Sequence, residues 1–134
     1  MAVKLSVAVR NAIVTQIETV IGTSPRLILY TGSGPANTTV AATGTVIATF
    51  ILPADWLTDA AAGVKQLNGT WSTTASTTGT VGYYRIWDSS VTTCHEQGSV
   101  TITGGGGDLT IDNINAANGQ TITMLTKTYT AGGA

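Results

Sequence analysis

The stretch VGYYRIWDSSVTTCHEQGSVT, residues 81–101, decides the fold class. It is rich in β-branched and aromatic residues, which suit the pleated surface of a sheet. Two sets of side chains alternate along its first half with the period of a β-strand: Tyr84, Ile86 and Asp88, and Tyr83, Arg85 and Trp87. Ser89-Ser90 is a turn signal. The stretch therefore predicts a β-hairpin with strands at 81–88 and 93–101.

Further strands are predicted on both sides of this hairpin. Asn68-Gly69 accepts the positive φ angles of a tight turn, which predicts a second hairpin. The Val, Ile and Phe content of residues 45–52 favours a strand that is buried on both faces. The predicted strands outside the first hairpin are 26–31, 45–52, 64–67, 70–73, 109–113 and 121–130, the last two paired through Asn118-Gly119. About eight short strands favour a mainly β fold, an antiparallel β-sandwich or jelly-roll-like fold over 26–130.

An amphipathic helix is predicted ahead of the strands, at residues 4–21. Its apolar residues recur at intervals of three and four: Leu5, Val9, Ile13, Ile17 and Val20. Gly22 can end the helix and Pro25 prevents it from resuming. This apolar face must be covered either by the sheet or by another subunit. The last residues, 131–134, are expected to form a flexible tail.

Composition indicates one weakly charged domain, residues 1–134. Charged residues make up 10% of the chain, against roughly 25% in typical soluble domains. The charges are scattered, so the chain lacks the basic stripe that nucleic-acid binding requires. Polar residues interrupt the N-terminal apolar pattern, so neither a signal peptide nor a transmembrane span is expected. A surface with few charges favours assembly; a Thr-rich β domain without that role is the alternative.

The residue types of enzymes and metal sites are sparse. Cys94 and His95 are the one cysteine and the one histidine, so a nucleophilic pair has to be considered. Neighbours on a strand point to opposite faces, which separates them. One Cys and one His do not make a tetrahedral zinc site, and Asp108 and Asp112 lack the spacing of a calcium loop. We therefore expect no catalytic residue, cofactor or metal, and no enzymatic activity.

Glycines and tryptophans complete the set of candidates. No Gly-Lys-Ser/Thr follows Gly104–Gly107, so this run predicts a connection rather than a phosphate cradle. Trp71 and Trp87 are expected between the sheets. Trp56, in a loop, is expected to be exposed, and flat aromatic rings stack on sugars or anchor subunit interfaces.

Short motifs follow one another through nearly the whole chain. They are Arg10-Asn11-Ala12, Tyr30-Thr31-Gly32-Ser33, Pro35-Ala36-Asn37, Leu52-Pro53-Ala54-Asp55-Trp56, Gly69-Thr70-Trp71, Arg85-Ile86-Trp87, Cys94-His95-Glu96-Gln97-Gly98, Gly104-Gly105-Gly106-Gly107-Asp108 and Gly119-Gln120. With these motifs in this order, the chain resembles a group of small virion structural proteins from tailed bacteriophages and prophages.

The resemblance implies a multicopy component of the virion head, neck or tail, assembled in the cytoplasm of the bacterial host. Its partners would be copies of itself and the major capsid or neck and tail proteins, with no nucleic acid, membrane or small-molecule substrate. A capsid cement or decoration subunit is the leading hypothesis. The alternatives are a neck, tail or fibre-associated protein and a carbohydrate-binding adhesin module. The candidate interface residues are Leu5, Val9, Ile13, Ile17, Asn37, Trp56 and Gly104.

Overall fold

The computed structural model describes residues 2–134 and shows a mainly β chain with one N-terminal helix, as the sequence predicts. The helix α1 spans Val7–Ile21. Ten strands follow in the described residues: β1 Arg26–Thr31, β2 Val46–Ile51, β3 Val64–Gln66, β4 Trp71–Thr74, β5 Gly79–Trp87, β6 Cys94–Ile102, β7 Leu109–Ile111, β8 Asn115–Ala116, β9 Thr121–Met124 and β10 Thr128–Thr130.

The main sheet is built around the predicted β5–β6 hairpin. Its strand order is β2-β1-β5-β6-β7, with β8 paired to β5. All pairs are antiparallel except β6 with β7, which run parallel. The alternation read from the sequence of β5 is confirmed, because Tyr84 and Ile86 face the main core while Tyr83 packs on the opposite face. Gly82 allows β5 to pass close to the end of β1, since a Cβ there would lie 1.8 Å from the carbonyl oxygen of Gly32.

The predictions of hairpins at Asn68-Gly69 and Asn118-Gly119 are wrong, because the strands on the two sides of each dipeptide do not pair with each other. β3 pairs with β10, and β4 pairs with β9, both antiparallel. The two segments 64–74 and 121–130 therefore form one interrupted ribbon, bridged at its break by a hydrogen bond from the Leu67 amide to the Lys127 carbonyl of 2.8 Å. Long-range pairing has overridden the local turn signals, and β7 pairs with β6 instead of β9.

β2 is an edge strand, contrary to the expectation that it is buried on both faces. Ile47 and Phe50 are buried, but Ile51 is 69% exposed. Beyond β2, the Thr73 hydroxyl donates to the Thr49 carbonyl at 2.9 Å, and the Ser76 amide donates to the Ile47 carbonyl at 2.8 Å. These bonds satisfy two of the carbonyl groups on the edge of the sheet, where an unpaired strand leaves its backbone groups without partners.

The core lies between the main sheet and a second layer made of the ribbon and α1. The largest apolar side chains of this core include Trp56, Trp71, Phe50, Leu27 and Ile86. A smaller cluster on the opposite face of the sheet contains Ile28, Tyr30 and Tyr83. Trp71 lies between the layers as expected, whereas Trp87 packs half-buried on the smaller cluster.

The two ends of the chain lie against each other. The helix begins at Val7 rather than residue 4, because the side chain of Ser6 caps it by accepting from the Val9 amide at 3.2 Å. Leu5, just before the cap, donates its amide to the Gly133 carbonyl at 2.8 Å. Ala131 is buried and donates to the Gly63 carbonyl at 2.9 Å. Residues 131–134, predicted to be a flexible tail, therefore contact the N-terminal segment and the residue before β3; their flexibility stays a prediction.

Candidate functional site

Polar contacts fix one face of α1 to the domain. Arg10 Nη1 donates to the Ala62 carbonyl at 2.8 Å, and the Asn11 side chain accepts from the Gly63 amide at 2.7 Å. Glu18 forms an ion pair with Lys65 of β3. These contacts bring the buried side chains of Val14 and Ile21 onto the domain.

The apolar residues that predicted the helix are turned away from this contact. Val9, Ile13 and Val20, which we call the outer stripe, are 46%, 45% and 59% exposed. At about 100° per residue, the outer stripe is centred roughly 110° around the helix from Val14 and Ile21. The rest of the domain therefore covers the face of α1 that carries Val14 and Ile21, and not the face that carries the periodic apolar residues. Ile17, between the two faces, is half-buried and packs on the main core.

An open groove runs beside the outer stripe. It has a volume of about 510 Å³ and is lined by Ile13, Gln16, Ile17, Val20, Ile21 and His95. Aliphatic side chains of α1 form most of its walls, and His95 of β6 adds the one titratable group among them. Exposed apolar residues that are contiguous in this way are typical of surfaces that bind other proteins.

The predicted interface residues do not all lie on one surface. Val9 and Ile13 are exposed on α1, and Leu5 is half-buried against Gly133. Asn37 is exposed in the β1–β2 connection, where its side chain accepts from the Thr39 amide at 3.0 Å. Gly104 is exposed in the β6–β7 connection with a φ of +85°. An interface role for these residues stays a prediction.

Trp56 is not exposed, and the expectation that it forms a surface contact is wrong. Its side chain is 0% exposed, and its indole Nε1 donates to the Gly22 carbonyl at 3.0 Å. The ring packs against Trp71 and Tyr129 with centroid separations of 6.0 and 6.2 Å. Sequence reasoning placed Trp56 in a loop correctly, but a loop that follows the buried Leu52 folds back over the core and buries the indole.

Cys94 and His95 face different environments. Cys94 lines a cavity on the outer face of the main sheet, while His95 lines the groove beside α1. The Cys94 thiol donates to the Glu96 carbonyl at 3.3 Å. Burial raises the pKa of this thiol above its ordinary value, which favours the protonated form over the nucleophilic thiolate.

A buried polar cluster around Glu96 was missed by sequence reasoning. Its carboxylate accepts from the Tyr84 hydroxyl at 2.5 Å and the Tyr129 hydroxyl at 2.6 Å, and it pairs with Lys127 at 2.8 Å. Lys127 also lies 4.4 Å from the centre of the Tyr129 ring. Burial, followed by the Glu96 charge, raises the pKa of both phenols. The cluster joins β10 and the β9–β10 connection to the main sheet.

Within residues 2–134, no three or more His, Cys, Asp or Glu side chains are grouped so as to hold a metal ion. No helix in the same range is long and apolar enough to cross a membrane. Comparison of the chain with protein-family models, with curated proteins and with solved structures gave no match.

Proposed function

We propose that this protein is a non-enzymatic structural subunit of a tailed-bacteriophage virion, present in many copies as a cement or decoration protein of the capsid. One observation carries the proposal: the outer stripe is apolar, exposed and turned away from the core of its own subunit. Full burial of one exposed Val or Ile side chain contributes about 1.5–3 kcal/mol. Each of these three side chains is about half exposed, so a partner that covers them gains about half of that value for each. The resemblance of the sequence motifs to those of virion structural proteins is the reason for proposing a virion as the setting.

The character of the remaining surface supports assembly as well. The chain has 6 Lys and Arg and 7 Asp and Glu residues in 134. Few charges have to be desolvated when such a surface is covered, so the apolar contacts of the outer stripe are opposed by a small penalty. The partner in this proposal is another copy of the chain or the major capsid protein.

The burial of Trp56 removes the main support for the carbohydrate-binding adhesin alternative. It depended on Trp56 as an exposed ring that stacks on sugar, and that ring is buried against Trp71. A neck or tail position differs from a capsid position in the number of copies, which is measurable on purified particles.

The experiment is a binding assay on virions of the phage that encodes the chain, prepared without it. The variant Val9→Ser, Ile13→Ser, Val20→Ser is compared with a matched control, Val91→Ser, Ile102→Ser, Leu125→Ser, which alters three exposed apolar residues on other elements. We expect the helix variant to bind at least about tenfold more weakly in co-sedimentation, and the control to bind like the unaltered chain.

Quantitative mass spectrometry of unaltered virions completes the test. Hundreds of copies per particle indicate the shell, and a few copies indicate the neck or tail. The absence of the chain from purified virions, or equal binding of the two triple variants, contradicts the proposal.

A further inference from the structure

Arg85 holds a positive charge on the outer face of the main sheet, where its side chain is 1% exposed. Three carbonyl oxygens satisfy part of its guanidinium. Nε donates to the Gln97 side chain at 2.9 Å, and Nη2 donates to the main-chain carbonyls of Asn37 and Val40 at 3.3 and 2.7 Å. These bonds fix the guanidinium between β6 and the β1–β2 connection, so its direction is set by the fold.

No carboxylate balances this charge within residues 2–134. The two ion pairs found there are Lys65 with Glu18 and Lys127 with Glu96. A buried charge is costly unless it is paired. Carbonyl dipoles offset part of that cost for Arg85 but supply no negative charge. The site is therefore complementary to an anion.

The remaining nitrogen of the guanidinium, Nη1, has no hydrogen-bond partner in residues 2–134, although Arg85 as a whole is 1% exposed. Nη1 carries two N–H groups and donates to no acceptor in the described chain. Nη1 also keeps some accessible surface. Among residues 2–134, the one side-chain nitrogen or oxygen that is both fully buried and without a partner is Arg10 Nε, so Nη1 is not fully buried. Arg85 lines a cavity of about 240 Å³, and we infer that Nη1 faces it.

The other walls of this cavity, which we call the Arg85 cavity, are both apolar and hydroxylated. They comprise Thr38, Thr39, Val40, Ala41, Trp87, Thr92, Thr93 and Cys94. The guanidinium carbon of Arg85 lies 5.6 Å from the centre of the Trp87 ring. The wall at Thr92 and Thr93 is held by Asp88, whose Oδ1 accepts from their amides at 2.7 and 3.3 Å.

We propose that the Arg85 cavity binds a carboxylate group carried on a short aliphatic stem, the side chain of an Asp or Glu. Arg Nη1 and threonine hydroxyls are donors suited to the two oxygens of a carboxylate. Val40, Ala41 and the Trp87 ring suit the methylene groups. At about 30 Å³ per water, the cavity holds about eight waters, which is ample for such a side chain.

This site goes beyond the proposed function, and the carboxylate chemistry does not depend on it. The identity of the protein that carries the carboxylate rests on the proposed function, because in a virion a neighbouring subunit would present the side chain. The outer stripe on α1 and the Arg85 cavity would then be two contacts with different chemistry, one apolar and one ionic.

The test titrates the isolated full chain with glutamate capped at both ends as its N-acetyl, N-methylamide derivative. The indole N–H signals in nitrogen-15 NMR spectra are the readout. Trp87 lines the cavity, while Trp56 and Trp71 are buried in the main core and serve as internal controls. We expect a saturable shift of the Trp87 signal, with no shift from capped glutamine or from sodium chloride at the same ionic strength.

Two variants and one matched control keep the result interpretable. Arg85→Lys is expected to weaken binding of capped glutamate at least about tenfold, because a single ammonium group cannot both keep the carbonyl contacts of the guanidinium and present a separate donor in the position of Nη1. Ala41→Trp fills the cavity and leaves Arg85 in place, so it is expected to abolish the shift, whereas Ala42→Trp, outside the cavity lining, is expected to retain it.

Equal shifts with capped glutamate and capped glutamine overturn the proposal, as does undiminished binding in folded Ala41→Trp. Binding of acetate without binding of capped glutamate overturns the assignment to a protein side chain. If capped glutamate binds while the chain is absent from virions, the site stands and the proposed function fails.

Discussion

Single residues in this protein are placed by hydrogen-bonding needs as much as by hydropathy. Trp56 is an example, because its ring is buried among aromatics while its Nε1 reaches the Gly22 carbonyl at the end of α1. One side chain thus connects the loop after β2 to the helix and to the core. Arg85 is the converse case, since a charged side chain is buried because carbonyl oxygens surround it.

Trp56→Ala is expected to lower the free energy of unfolding by about 3–5 kcal/mol, because it leaves a large cavity and removes the bond to Gly22. Urea unfolding monitored by circular dichroism measures the change. Val3→Ala, at a residue that is 78% exposed ahead of α1, is the control and is expected to change stability by less than about 0.5 kcal/mol. A small effect of Trp56→Ala on stability would contradict the burial described here.

The elements are defined by local signals, but their faces are selected by their neighbours. In α1, the cap at Ser6 and the positive φ of Gly22 mark its two ends. Its orientation depends on Arg10, Asn11 and Glu18, three polar residues that bind the ribbon and the residues before it. The helix therefore presents a mixed polar and apolar face inward and keeps the outer stripe free.

Ser6→Ala is expected to destabilise the protein by about 1 kcal/mol, since the Val9 amide loses its capping acceptor. Hydrogen exchange should accelerate most in the first turn of α1. Ser33→Ala, at an exposed serine in the β1–β2 connection, is the control. Equal stability of the two variants would show that the cap contributes nothing.

At the scale of the whole molecule, distant segments close the two layers. The Glu96 cluster ties β10 and its preceding connection to β5 and β6, and the ribbon joins segments that are far apart in the chain. Because Tyr84 and Tyr129 donate to the Glu96 carboxylate, their phenols have to stay protonated in the folded state. Closure of the layers is therefore coupled to pH in the alkaline range.

The free energy of unfolding is expected to fall as pH rises above about 10. The pKa values of Tyr84 and Tyr129 are raised in the folded chain, mainly by burial, from an ordinary value of 10.0. Below pH 10 both states keep the phenolic protons and the stabilisation is complete. Above pH 10 the unfolded chain loses its phenolic protons before the folded chain does. The free energy of unfolding therefore falls by up to about 1.4 kcal/mol per pH unit for each phenol.

Urea unfolding at pH values from 9 to 11 measures this slope. Tyr129→Phe removes one of the two phenols, so its stability is expected to decline less steeply in the same range. An identical slope in the variant would contradict the role assigned to Tyr129. The comparison uses the slope, so a constant loss of stability from the substitution does not affect it.

The sequence by itself determined the fold class, the helix, the β5–β6 hairpin and the approximate position of most strands. These features depend on periodicity and turn residues within a few positions of one another, which the backbone geometry of a helix or strand imposes locally. The apolar residues of the outer stripe were also identified from this periodicity, and their exposure was one of two outcomes left open.

Only the tertiary structure decided which strands pair, which face of α1 is covered, and where Trp56 and Arg85 lie. The ribbon pairs β3 with β10 and β4 with β9, so the partners lie far apart in the chain and no local pattern specifies them. The Glu96 cluster and the Arg85 cavity likewise combine side chains from separate segments. Their physical basis is the complementarity of surfaces that meet after the chain has folded, and this is why neither site was visible in the order of the residues.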